Sequence, residues 1–156
     1  MSKSLQRVSE ALRDSGLKPY ILEMGTESRT AQQAADAAGC ALDQIAKSIV
    51  FQGALSGEIV LFLTAGGNRV DADRAASLAG EPLTRADPKV VRERTGFAIG
   101  GVAPIGHLSP VRAYWDPRLS EFSVIYAAAG TPRHVFPITP ADLMRLTDAR
   151  EGPFTA

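Results

Sequence analysis

Residues 45 to 64 read Ile45-Ala-Lys-Ser-Ile-Val-Phe-Gln-Gly-Ala-Leu-Ser-Gly-Glu-Ile-Val-Leu-Phe-Leu-Thr64. Ile45, Lys47, Ile49 and Phe51 alternate with Ala46, Ser48, Val50 and Gln52, which is the period of a strand. Gly53 to Gly57 is turn-like, and Glu58 to Thr64 gives a second, almost wholly apolar strand. Two strands so joined predict an antiparallel hairpin with a somewhat long loop.

Upstream, Leu5, Val8, Ala11 and Leu12 recur at helical spacing up to Gly16, with Pro19 beyond. Tyr20 to Met24 suits a short strand. Thr30 and Gln33 form a capping box before an alanine-rich helix that ends at Gly39. Downstream, Asp71 caps a helix through Leu78, closed by Gly80. Asp87-Pro88 opens another, closed by Gly96. Short strands are expected at Arg112 to Trp115, Ser123 to Ala127 and His134 to Ile138, and Thr139 caps a last helix ending near Leu146. The tail from Glu151 to Ala156 is expected to fray. Strands and helices do not alternate regularly. The expected fold is therefore α/β in the α+β sense: a mixed, mainly antiparallel sheet flanked by helices, in one domain over residues 1–156 with its core at about 3–150.

The chain has 156 residues, with 17 basic and 17 acidic side chains, and net charge zero at pH 7. That balance argues against a wide basic nucleic-acid groove or a polybasic membrane binder, and so against DNA as a partner. Apolar runs such as Ile59 to Ala65 are far short of a membrane span. The N-terminal residues lack an apolar secretory core, so a cytoplasmic location is expected. One cysteine, Cys40, rules out an intramolecular disulfide and reads as an inert packed thiol. His107 and His134 have no metal-ligand spacing, so no metal or other cofactor is expected.

Four features can carry chemistry. Of four lysines, Lys47 alone sits in an apolar run, sharing a strand face with Ile45, Ile49 and Phe51. Burial there would lower its pKa; alternatively its stem packs while its head reaches solvent. Gly100-Gly-Val-Ala-Pro-Ile-Gly106-His107 is either a backbone cradle for a carbonyl or phosphate, or a plain connection. Ala127 to Pro132, built of small residues, is a pocket floor or a tight turn. The thirteen arginines are scattered, densest at Arg85, Arg92 and Arg94.

The order of these segments is specific. Thr30-Ala-Gln-Gln-Ala-Ala35 precedes Ile45 to Phe51. Arg69-Val-Asp71, Ala86-Asp-Pro88, Thr95 to His107 and Ala127 to Pro132 follow in turn. Over roughly residues 3 to 150 this resembles the YbaK/prolyl-tRNA-synthetase-associated editing domain family. Most specific is the lysine in its apolar strand, followed about fifty residues later by G-G-V-x-P-x-G.

The resemblance implies a compact α/β fold around a small, mixed, barrel-like sheet. It also implies an enzyme, an aminoacyl-tRNA deacylase that hydrolyses mischarged tRNA in trans. The expected substrate is tRNA for proline carrying a small amino acid such as cysteine or alanine, and prolyl-tRNA synthetase is a possible partner. It further implies Lys47 as the catalytic residue. The substrate-binding set is Thr30, Ser48, Gly100, Gly101, Val102, Ala103, Pro104, Ile105, Gly106 and Gly130. Leu22, Met24, Thr30 and Ile105 are candidates for setting pocket size. Backbone N–H groups from Gly101 to Ala103 are expected to polarise the ester carbonyl, with water as nucleophile. This requires the Lys47 ammonium and the glycine loop to face one pocket. The alternatives are a catalytically silent module that binds tRNA or a synthetase, and an unrelated small-molecule hydrolase.

Overall fold

The computed structural model describes residues 2–25 and 27–156. Its organising element is β2 (Ile45–Gly53), which pairs antiparallel with β3 (Ile59–Ala65) from Ala46↔Ala65 to Gln52↔Ile59. The turn between them is pinned by Glu81, whose carboxylate accepts from the N–H groups of Ser56 at 2.9 Å and Leu55 at 3.0 Å and pairs with Arg112 at 2.9 Å. The hydrogen bonds from Ser56, foremost among these contacts, hold the Glu81 carboxyl down at about 2, below its ordinary 4.5. A folded-state value below the unfolded one stabilises fully above about pH 4.5 and is lost as pH falls toward 2. Glu81→Gln should therefore flatten the pH dependence of the unfolding midpoint across that window. An unchanged slope would count against the contact.

Around the hairpin lie β1 (Leu22–Glu23), β4 (Leu83–Arg85), β5 (Arg112–Trp115), β6 (Ile125–Ala128), β7 (His134–Ile138) and β8 (Arg150–Glu151). The sheet order is β1-β7-β6-β2-β3-β5-β8, with β4 on β2. β2–β6, β3–β5 and β5–β8 are parallel and the other pairings antiparallel, so the sheet is mixed as expected.

Five helices flank it among the described residues: α1 (Lys3–Asp14), α2 (Ala31–Ala38), α3 (Ala72–Ala79), α4 (Pro88–Thr95) and α5 (Pro140–Thr147). Their limits follow local chemistry. Thr30, Asp71, Asp87 and Thr139 each accept an N–H of the first turn, and Gly39, Gly80 and Gly96 close three of them in the left-handed region. The main core packs Val8 and Leu12 of α1 against Leu61, Leu63, Phe97, Trp115, Phe136 and Leu143.

The tail departs from expectation. Residues 150–156 are part of the fold, not frayed. Tyr114 and Trp115 of β5 pair with Arg150 and Glu151, Val70 bridges Thr155, and Phe154 is 0% exposed. Phe154 fills a second core with Val60, Phe62, Ala75 and Tyr114 on the far face of the hairpin. Burial of one aromatic ring fixes the segment, a tertiary effect with no local signature. β4, also unforeseen, is three residues long and held by its pairing to β2.

Candidate active site

The edge of β2 opposite β3 is occupied at both ends and open in the middle. β6 covers Ile45 and Ala46, β4 covers Phe51 to Gly53, and among the described residues no strand is registered against residues 47–50 on that side. A slot of about 340 Å³ lies there, lined by Ser48, Ile49 and Val50 of β2, Arg85, Ala86, Ile99, Gly100, Val102 and Ala128. The first half of the glycine loop thus stands where the missing strand would be. Four small lining residues (Ala86, Gly100, Ala128 and Ser48) keep the slot open. Arg85 is the one charged group in its wall among the described residues, and Ile99 is 51% exposed. Neither Arg85 nor Ile99 was expected here. Only the pairing of β4 with β2 brings Arg85 in, and no local pattern in the sequence announces that pairing. The Ser48 hydroxyl is buried without a hydrogen-bond partner among the described residues, an expense usually met by a ligand or water.

Lys47 precedes Ser48, so its side chain leaves β2 on the other face, with Ile49. The parallel register Ala46↔Ala127 puts Ala128 on that face too. The slot is therefore a gap between strands, walled by Ser48 and Val50 from one face and by Ile49 and Ala128 from the other. The Lys47 ammonium is not in its wall, and neither cavity that the glycine loop lines includes Lys47. The expected meeting of the two in one pocket is not found, because the strand turns Lys47 to the face opposite Ser48. The ammonium donates to the Asn68 carbonyl at 2.6 Å, leaving two protons without a partner among the described residues. The carboxylates of Asp116 and Asp43 lie near enough to favour its charge. Burial, reinforced by Arg69, outweighs them and pulls its pKa below the ordinary lysine value. The loop carrying Asn68 is fixed by Asp116, 2% exposed, which accepts from Ala65 N–H at 3.0 Å and Asn68 Nδ2 at 2.9 Å. Asp43 adds a bond from Gly67 N–H at 2.7 Å.

The glycine loop divides between two cavities. Gly100 and Val102 line the slot, whereas Pro104, Ile105 and Gly106 line a cavity of about 990 Å³ with His107, Arg112 and Arg150. Gly101 donates its N–H to the Ala98 carbonyl at 3.0 Å, which corrects its expected place among the free donors. The N–H groups of Val102 and Ala103 have no partner among the described residues. The Ala103 carbonyl accepts from His107 Nε2 at 2.7 Å, and burial lowers the His107 pKa.

Gly130 backs this loop. A Cβ on Gly101 would stand 3.2 Å from the Gly130 carbonyl. A Cβ on Gly130 would stand 2.9 Å from Phe97 and 3.1 Å from Ser4, and Gly130 has φ +95°. Gly130→Ala combines left-handed strain with overpacking and should destabilise the fold by about 2–4 kcal/mol. Chemical denaturation would measure this; a loss under about 0.5 kcal/mol, the range of neutral surface changes, would contradict the packing. Thr30 is not brought to the slot: its hydroxyl accepts from Gln33 N–H at 3.1 Å as the cap of α2. Met24 packs with Ala34, Ala35, Ile45 and Val135. Burial pushes the Cys40 thiol up, away from the reactive thiolate.

Residues 26–146 match the family model described as "Aminoacyl-tRNA editing domain". The chain belongs to that family. A solved structure described as "a putative trans-editing enzyme for prolyl tRNA synthetase" is 44% identical, covers 100% of this chain and 99% of its own, and superposes with a TM-score of 0.91. The uncharacterized protein YwhH of Bacillus subtilis (strain 168) is 32% identical over 123 residues, 79% of this chain and 78% of its own. The Enterococcus faecalis protein named "Putative Cys-tRNA(Pro)/Cys-tRNA(Cys) deacylase EbsC" is 23% identical over 139 residues, 88% of this chain and 84% of its own. The mixed sheet and flanking helices of this editing domain are those of its structural relatives. No helix among its described residues is long and apolar enough to cross a membrane.

Proposed function

We propose that this editing domain is an aminoacyl-tRNA deacylase acting in trans on tRNA, tRNA for proline first, that carries a small non-cognate amino acid such as cysteine or alanine. The observation that carries this reading is the slot at the open edge of β2. It is small and walled by Gly100, Ala128, Ala86 and Val102. The strand that forms its edge also carries Lys47, whose ammonium has two protons without a partner among the described residues. A pocket selects weakly among small apolar groups, at ~1–3 kcal/mol per methylene, so a second, size-limited hydrolytic site is what correcting such errors needs.

In this mechanism the aminoacyl group enters the slot and the terminal nucleotide stays at its mouth. Arg85 meets a phosphate there and Ile99 offers an apolar surface to the base. Lys47 supplies positive charge and donors to the ribose–ester region from the Ile49 face. The N–H of Val102, which lines the slot, polarises the ester carbonyl. Water adds to the carbonyl carbon, the acyl–oxygen bond breaks, and the ribose oxygen leaves with a proton, giving free amino acid and tRNA. A terminal ribose hydroxyl can relay that proton. Prolyl-tRNA synthetase is the partner that would deliver such a substrate.

Incubation with a panel of mischarged tRNAs tests this. Release of cysteine or alanine with sparing of prolyl-tRNA is expected. Binding without hydrolysis of any member would instead make the protein a silent module, and hydrolysis of free esters alone a small-molecule hydrolase.

A further inference from the structure

The register of β2 fixes where its main-chain groups point. Ser48 lies opposite Leu63. The Leu63 carbonyl accepts from Asp116 N–H at 2.9 Å, on the side of β5, so Ser48 and Leu63 form a pair that exchanges no hydrogen bonds. Ser48 therefore turns both its N–H and its C=O to the opposite edge. Two neighbours agree on this phase. The Gln52 carbonyl accepts from the Thr84 hydroxyl on the β4 side at 3.3 Å, and Gly53 N–H donates to Glu58 on the hairpin side at 2.9 Å. Even-numbered residues of β2 thus face β6 and β4, and Ser48 falls in the interval where neither strand is registered. The β6 ladder ends at Ala46 and the β4 ladder begins at Phe51, so neither pairs the N–H and C=O of Ser48, which face the gap that Ser48 lines.

A donor and an acceptor on one residue of an extended strand match one other residue in the same conformation. An aminoacyl ester is such a residue in miniature: its α-ammonium stands where a strand N–H would be and its ester carbonyl where a strand C=O would be. The geometry points to the aminoacyl group docking as a one-residue strand on the open edge of β2. Ser48 N–H donates to the ester carbonyl, and Ser48 C=O accepts from the α-ammonium. This rests on the deacylase reading and deepens it. The amino acid is recognised by main-chain hydrogen bonds that any α-amino ester can make, while Gly100, Val102 and Ala128 limit side-chain size. Ser48 N–H also reaches the oxygen that turns anionic when water adds, beside the Val102 donor. Recognition of this kind requires an α-amino group and ignores the identity of a small side chain.

The test compares the wild-type protein on one tRNA carrying alanine and on the same tRNA carrying lactate, which replaces the ammonium with hydroxyl at nearly constant size. Each rate is divided by the spontaneous rate of that ester. Exchanging a charged donor for a neutral hydroxyl that can still reach the Ser48 carbonyl should lower kcat/KM roughly tenfold for the lactyl ester. Equal acceleration of both esters would overturn the docking mode and leave the deacylase reading standing. Hydrolysis of neither, nor of any other mischarged tRNA, would remove that reading and the docking mode together. A second arm compares Ser48→Pro, which removes the N–H at an edge position that tolerates proline, with Ser48→Ala, which keeps it. At least a tenfold greater loss of kcat/KM in Ser48→Pro is expected, and equal losses would overturn the proposal. Should Ser48→Pro not fold, the two-ester comparison decides by itself.

Discussion

Lys47→Ala should lose deacylation by about 10²–10³-fold, the scale on which one placed donor stabilises developing charge, and should still fold. Lys47 donates to the Asn68 carbonyl at 2.6 Å and has two further ammonium protons without a partner among the described residues, on the Ile49 face of β2. In the proposed mechanism its removal takes positive charge from the ribose–ester region and leaves the Ser48 edge and Val102 in place. Single-turnover hydrolysis of a mischarged tRNA is the measurement, and retained activity would end the role of Lys47. Stability should move little. Burial has already lowered the Lys47 pKa, so the charged form is disfavoured in the folded state. The unfolded chain then binds more protons, and stability rises with pH between the lowered folded value and the ordinary 10.5. Lys47→Met keeps the packed stem, removes that slope and should unfold at the same denaturant concentration or higher. A marked loss of stability would show that the bond to Asn68 outweighs the desolvation.

Phe154→Ala should destabilise the fold by about 3–5 kcal/mol, the usual result of emptying a fully buried aromatic site. Its ring lies 4.9 Å from Phe62, edge to face at 67°, in the core shared with Val60, Ala75 and Tyr114. The Phe154 carbonyl accepts from Asp71 N–H at 2.8 Å, so the tail also steadies the residue that caps α3. Denaturant unfolding checks this, and a loss under about 1 kcal/mol would mean that the tail lies loosely on the sheet. Removing residues 150–156 should do at least as much harm, since the β8 pairing goes with the ring.

Both expectations rest on features of different legibility. Lys47 stood out in the sequence because a charge in an alternating apolar run is conspicuous wherever the strand ends up. Phe154 did not, because a lone aromatic among Gly152, Pro153 and Thr155 has no period to reveal its face. The caps at Thr30, Asp71, Asp87 and Thr139, and the glycines after three helices, were legible because a cap is a contract between residues two to four apart. The hairpin was legible because alternation and a turn lie on one continuous stretch.

The candidate site divides along the same line. By itself the sequence determined that Lys47 and Ser48 must point to opposite faces, since a strand reverses at every residue, and that residues 100–106 must be a loop of unusual backbone freedom. Tertiary structure decided the rest. It placed β6 and β4 at the two ends of one edge of β2, and set Gly100 and Val102 opposite the gap between them. It drew in Arg85, tied up the Gly101 N–H and sent Pro104 to Gly106 to another cavity. The physical reason is that a strand edge left unpaired is a property of which segments do not reach it. That follows from the packing of residues far apart in the chain and is written in no single stretch of it.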